Sequence, residues 1–221
     1  MKRILQTFFF GSLAVLFLMG AAWAAGDKTT VTADQAQKLL QDGNQRFLKA
    51  NFKKASGGAK MCLPVAKGQK PFAVIVGCSD SRVPPEIIFD QGLGDLFVIR
   101  LAGNVVDSMA LGSIEYAVDH LGVPLVVVLG HKRCGAVDAT VKGGDAHGHI
   151  PSLLQAIRPA VEETKDKPGD KVDNAVRANV KRVTGQISNA EPVMAPAVKA
   201  GKAKVLGAYY DLDDGKVSFL P

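Results

Sequence analysis

Apolar residues arrive in two patterns along this chain. PFAVIVG (71–77), DLFVIRLAG (95–103) and VPLVVVLG (123–130) are near-continuous apolar runs rich in β-branched residues. That is the look of strands buried on both faces, as in a parallel sheet. The other pattern has a helical period. TADQAQKLLQDGNQRFLKANF (32–52) places Ala36, Leu39, Leu40, Phe47 and Leu48 at near-helical spacing behind Thr32 or Asp34 as a cap, and reads as one or two amphipathic N-terminal helices. DSMALGSIEYAVDHLG (107–122) can be capped by Asp107 and ended by Gly122, with Met109, Leu111, Ile114, Val118 and Leu121 mostly on one face. IPSLLQAIRPAVEE, KVDNAVRANVKRVTGQI and PVMAPAVKAG are three further helical stretches, and KKASGGAKM (53–61) reads as a loop. The terminal AKVLGAYYDLDDGKVSFLP is two strand-like segments around a hairpin signal, Asp213-Asp214-Gly215. Strand, helix, strand with buried strands implies parallel pairing through right-handed crossovers. The expected fold is therefore α/β: a central, mostly parallel sheet flanked by helices, with a C-terminal strand pair and an N-terminal helical arm.

The first residues follow a different plan. Lys2 and Arg3, an apolar run from Phe8 to Ala21, and the small-x-small triplet Ala22-Trp23-Ala24 describe a secretory signal peptide over 1–24, leaving one domain over 25–221. The apolar run is short for a spanning helix, so the mature chain is expected to be exported, in the periplasm, with no membrane attachment. The formal charge of +6 falls to +4 without Lys2 and Arg3. The remaining cations are interleaved with acids, as in VEETKDKPGDKVD, with no basic stripe carrying aromatics, which argues against nucleic acid as a partner.

Cysteine usage carries the chemistry. Three cysteines leave at least one unpaired or reserved for a reaction. Cys62 sits in an unremarkable segment and reads as a loop or packing thiol. Cys78 follows the run AVIVG, His131 follows LVVVLG, and Cys134 lies three residues beyond His131. Open parallel sheets bind ligands outside the carboxyl ends of their strands, so these motifs can face one pocket although distant in sequence. Two sulfurs and an imidazole suit zinc, and three protein ligands leave a fourth position open, the plan of a catalytic rather than a structural site. A Cys78–Cys134 disulfide is the competing use of the same thiols in an oxidising compartment. A phosphatase-type thiol loop is excluded because only three residues separate Cys78 from Arg82.

CSDSR (78–82) and HKRCG (131–135) resemble the paired motifs of the β-class carbonic anhydrases, and the similarity extends over roughly Gln69 to Phe219. The resemblance implies zinc, one per chain, on Cys78, His131 and Cys134, and a catalytic dyad of Asp80 and Arg82. It implies reversible hydration of carbon dioxide to bicarbonate by a zinc-bound hydroxide that Asp80 orients. It places Gln69 as a hydrogen-bond donor to substrate, Phe97 and Tyr116 on the pocket wall, and the Gly135 amide as a further oxygen-binding group. It also implies a homodimer, or a dimer of dimers, with exchanged N-terminal helices. Hydrolysis of carbonyl sulfide or carbon disulfide on the same scaffold is the nearest alternative activity, and a non-catalytic zinc or redox protein is the alternative of another class. Some members carry a tryptophan three residues before the first cysteine, as part of a bicarbonate site that lets the aspartate close the zinc. Ile75 stands there in this chain, although Arg100 matches another group of that site, so an open zinc and an Asp80–Arg82 pair are expected. His147 and His149 are candidate proton carriers, with a flexible polar loop as the competing reading.

Overall fold

The computed structural model describes residues 28–54 and 58–221; the signal-peptide plan over 1–24 lies outside the described residues. In chain order the elements are α1 (Ala33–Leu48), α2 (Ala59–Val65), β1 (Ala73–Gly77), α3 (Pro85–Ile88), β2 (Leu96–Arg100), α4 (Ser108–Glu115), β3 (Leu125–His131), α5 (Gly135–Lys142), α6 (Ile150–Thr164), α7 (Lys171–Ser188), α8 (Met194–Lys199), β4 (Lys204–Tyr210) and β5 (Val217–Phe219). The sheet order is β2-β1-β3-β4-β5. The first four strands are parallel to their neighbours, and β5 runs antiparallel to β4. The three apolar runs are the three parallel strands at β2, β1 and β3, and the C-terminal pair is β4 and β5. Among the described residues no helix is long and apolar enough to cross a membrane.

Alternate residues of β1 and β3 face opposite layers. Val74, Val76, Val126 and Val128 pack with Ala110 and Ile114 of α4, Val180, Val183 and Ile187 of α7, and Met194 of α8. Ala73, Ile75, Leu125, Val127 and Leu129 pack with Ala36 and Leu40 of α1, with Ile88 of α3 and with Phe89 just after it. Both strands are buried throughout, which is why their sequence is continuous rather than alternating.

The capping residues act as their sequence suggests. Thr32 and Gln35 form a reciprocal capping box at the start of α1, and the Asp107 carboxylate accepts the Ala110 N–H at 2.8 Å. Gly122, at φ +69°, ends the segment after α4. That segment departs from a continuous helix, because a widened turn over Tyr116–His120 replaces its last stretch. Part of the segment expected as a loop, 53–61, enters α2, and α3 and α5 have no counterpart in the periodic pattern. All three are too short to show a hydrophobic period.

The N-terminal arm is docked on its own chain. Asn44 donates through Nδ2 to the carbonyls of Ile88 and Gly215 and accepts from the Val217 N–H. Arg46 pairs with the buried Asp90. Gly43 lies so close to Phe89 that an added Cβ would stand 1.7 Å from its carbonyl oxygen. These contacts tie α1 to α3 and the β4–β5 hairpin of the same chain.

Helix α7 approaches the sheet over two glycines. A Cβ on Gly130 would stand 2.4 Å from Val180 Cγ2, and one on Gly207 would stand 2.8 Å from Val180 Cγ1. Gly130 immediately precedes His131, so the close seat of α7 also sets the end of β3. Gly130→Ala is expected to destabilise the protein by about 1–3 kcal/mol through overpacking, read as a lower urea midpoint at unchanged slope; a midpoint equal to wild type would show that α7 yields freely.

Candidate metal centre

Three elements converge at the carboxyl end of the sheet. Cys78 is the first residue beyond β1, His131 the last residue of β3, and Cys134 the residue from which α5 starts. All three are buried, at 4%, 0% and 1% exposure. Their candidate ligand atoms lie within 4.8 Å of one another, and the two sulfurs are 4.0 Å apart. A tetrahedral ion with metal–sulfur bonds of about 2.3 Å separates two sulfurs by about 3.8 Å, so the pair needs little adjustment.

The imidazole is preset for a metal. His131 Nδ1 lies 2.9 Å from the Lys132 carbonyl, which can only accept, so Nδ1 carries the proton and Nε2 presents a lone pair. That Nε2 is buried without a hydrogen-bond partner among the described residues. A buried acceptor left bare costs about 1–3 kcal/mol; a cation between it and the two sulfurs removes the penalty. This orphaned nitrogen shows that the three side chains fit a metal ion, and Cys78, Cys134 and the free Cys62 are all unbridged.

The thiols divide their acidity. The hydrogen bond from Cys134, opposed by burial, pulls the Cys78 thiol down, with further help from the Gly103 amide. That amide lies 3.2 Å from the Cys78 sulfur. Cys134 is pushed far up, first by its hydrogen bond to Cys78 and then by burial, against the pull of the Val137 and Ala136 amides at the start of α5.

Asp80 stands at the edge of the cluster, its Oδ2 3.8 Å from His131 Nε2. Arg82 grips it in a two-pronged pair: Nε to Oδ1 at 2.9 Å and Nη2 to Oδ2 at 2.7 Å, with the Arg82 backbone N–H on Oδ1 at 2.9 Å. The guanidinium hydrogen bond is the main cause that holds Asp80 down at about 2. Arg82 Nη2 also reaches the Arg133 carbonyl at 3.3 Å, tying the first motif to the second.

The other sequence-selected residues divide into two groups. Gly135, at the first position of α5, stays with the ligands. Gln69 precedes β1 and lines a surface hollow with Lys67, Lys70, Leu93 and Asp95, at the opposite end of the strand from Cys78. Phe97, paired in register with Val74 near the start of β2, packs against Tyr116 with ring centroids 6.3 Å apart. One chain therefore does not bring Gln69, Phe97 and Tyr116 to its own ligand cluster. His147 and His149 are exposed in the loop at the far end of α5. Ile75 is fully buried within β1.

Sequence reasoning missed two supports of Cys78. Gly103, at φ +71°, turns its N–H onto the sulfur, and the buried Asn179 of α7 donates to the Gly103 carbonyl at 2.8 Å. Asn179 interrupts the apolar stripe formed by Val176, Val180 and Val183, a signal that could have exposed it.

A family model described as "Carbonic anhydrase" matches residues 73–217. A carbonic anhydrase of Mycolicibacterium smegmatis is 41% identical over 187 residues, covering 82% of this chain and 90% of its own length. Carbonic anhydrase 2 of Mycobacterium tuberculosis is 41% identical over 185 residues, covering 82% and 89%. Among solved structures, one of the tetrameric β-carbonic anhydrases from Sordaria macrospora superposes with a TM-score of 0.68 at 28% identity, over 73% of this chain and 87% of its own. The Coccomyxa β-carbonic anhydrase in complex with acetazolamide superposes with a TM-score of 0.67 at 28% identity, over 86% and 87%.

Metal capture needs both sulfurs ionised, and the neighbouring sulfur together with burial pushes the Cys134 thiol up, so a proton must leave as the ion binds. Between pH 7 and 9 the apparent zinc affinity, measured by chelator competition, is therefore expected to rise with pH, by up to about tenfold per unit for each proton released. A flat profile would show that both thiols are already ionised.

Proposed function

The chain belongs to the β-class carbonic anhydrases, the carbonate dehydratases, and on that premise we propose that it hydrates carbon dioxide reversibly at a zinc ion held by Cys78, His131 and Cys134, with Asp80 and Arg82 as the catalytic dyad. The observation that carries the reading is the bare, buried Nε2 of His131 facing two sulfurs, with an ionised carboxylate 3.8 Å away. Zinc bound there supplies a Lewis acid that acidifies water for attack on carbon dioxide. Two thiolate ligands cancel the formal charge of such an ion, so the surrounding residues carry more of the activation. Asp80, ionised at every working pH, accepts a hydrogen bond from the attacking water and aims its lone pair at carbon. Arg82 holds that carboxylate ionised and in plane. The Gly135 amide donates to the oxygen where negative charge develops.

Gln69, Phe97 and Tyr116 serve this pocket from a second chain in the reading proposed here. Strand β2 is one of the two edges of the sheet among the described residues: each of its residues is half-buried and four of the five are apolar. Bare apolar edges invite pairing with another copy. A twofold axis beside β2 sets the start of one strand against the end of the other. The Gln69 and Phe97 end of one chain then meets the Cys78 and Arg100 end of its partner, giving a homodimer with two shared sites, which can pair again into a dimer of dimers.

The protein is further proposed to act after export, in the periplasm. The charged start, short apolar run and Ala22-Trp23-Ala24 site support that reading, and the N-terminal mass of the exported chain reports it.

Asp80→Asn is expected to keep one zinc per chain and to lower the carbon dioxide hydration rate about 100-fold or more in stopped flow; an unchanged rate removes Asp80 from the scheme. For the shared site, Cys78→Ala and Gln69→Ala chains are each expected to form homodimers of low activity. Remixed, they should recover about a quarter of wild-type activity, since half the dimers are mixed and each mixed dimer has one intact site. A mixture no more active than its parts would place Gln69 outside the partner's pocket.

A further inference from the structure

We propose that Arg100 is a positioning residue for the reaction: its guanidinium fork clamps the backbone carbonyls of Cys78 and Asp80 together and so sets the Asp80 carboxylate over the metal ligands. The proposal rests on the catalytic reading of Asp80 given above. Arg100 ends β2 and is the register partner of Gly77, the residue before Cys78. Its Nε donates to the Cys78 carbonyl at 2.8 Å and its Nη2 to the Asp80 carbonyl. Ser79, which lies between those two carbonyls, donates back through Oγ to the Arg100 carbonyl at 3.2 Å. The Leu101 N–H closes the ladder onto the Gly77 carbonyl at 3.1 Å.

The turn 78–80 is thus bracketed from β2 on both sides. Control of Asp80 is divided: Arg82 orients the carboxylate, and Arg100 fixes the backbone from which the carboxylate projects. Both Arg100 bonds go to neutral carbonyls. Its part is therefore geometric, and it depends on the planar fork that spaces two donors at once. A lysine ammonium on a flexible stem supplies the charge without that spacing. Release of the fork frees the 78–80 peptides to rotate, and a displacement of about 1 Å at a catalytic group can cost about 100-fold in rate. The same fork steadies Cys78, so it also slows loss of the ion.

The test is a double-mutant cycle on the zinc-loaded full-length protein, using Arg100→Gln, Asp80→Asn and the combined variant. It follows carbon dioxide hydration together with zinc release to a chelator. Arg100→Gln is expected to lower kcat about tenfold or more with KM changed less than about threefold, and to speed zinc release. Added to Asp80→Asn, it should lower the rate by less than about twofold further, because the group it positions is already gone. Arg100→Lys is expected to recover only part of the loss, and it carries the same cycle should Arg100→Gln fail to fold. Equal factors in both backgrounds, or an unchanged kcat in Arg100→Gln, overturn the clamp while leaving Asp80 catalytic. An unchanged rate in Asp80→Asn overturns the reading of Asp80 itself, and the clamp falls with it. Zinc release no faster than wild type overturns the hold on Cys78.

Discussion

An imidazole nitrogen sealed from water and facing two sulfurs is unfavourable unless something binds it, and the rest of the fold is arranged to keep it there. His131 is fully buried, its ring held by the Lys132 carbonyl. The strand that carries it lies under α7, with glycine at 130 admitting Val180. Desolvation makes the bare Nε2 costly in the metal-free protein, and the same desolvation strengthens whatever charge interaction fills the gap. Specificity for a cation is therefore a property of burial as much as of ligand identity.

The division of labour around that point follows from the parallel sheet. Strands that all run one way deliver their carboxyl ends to one rim, so residues 78, 100–103 and 131–134 meet there. Each segment contributes differently. The end of β1 supplies a sulfur and the dyad, the end of β3 supplies the imidazole and the second sulfur, and the end of β2 supplies no ligand. Its Arg100 guanidinium meets the Cys78 and Asp80 carbonyls, and beyond it the Gly103 amide meets the Cys78 sulfur. A strand that looks idle by its side chains is the scaffold of the site.

Legibility in the sequence tracked the reach of the interactions. The three apolar runs, the capping box at Thr32 and the Asp107 cap are local, and each shows in a window of a few residues. The helices α2, α3 and α5 are shorter than the window in which a helical period can be told from chance. Among them, α5 matters to the site because its first amides face Cys134. The place of Gln69 and Phe97 could not be read locally at all. Only the family resemblance names them as pocket residues, and the direction of β1 and β2 sets them at the end of the sheet away from Cys78.

By itself the sequence determined the candidate ligand set, the strands, the helices other than α2, α3 and α5, and the proximity of an aspartate to an arginine two residues on. These depend on residue type and short spacing. Only the tertiary structure decided that His131 Nε2 is bare, that Arg100 grips the Cys78 and Asp80 carbonyls, and that α1 packs on its own chain. The physical reason is that every residue carries the same backbone carbonyl and every residue but proline the same N–H. No letter in the sequence marks which of them will be met by a side chain 20 or more residues away, because that depends on register and strand direction, which are set by the whole sheet at once.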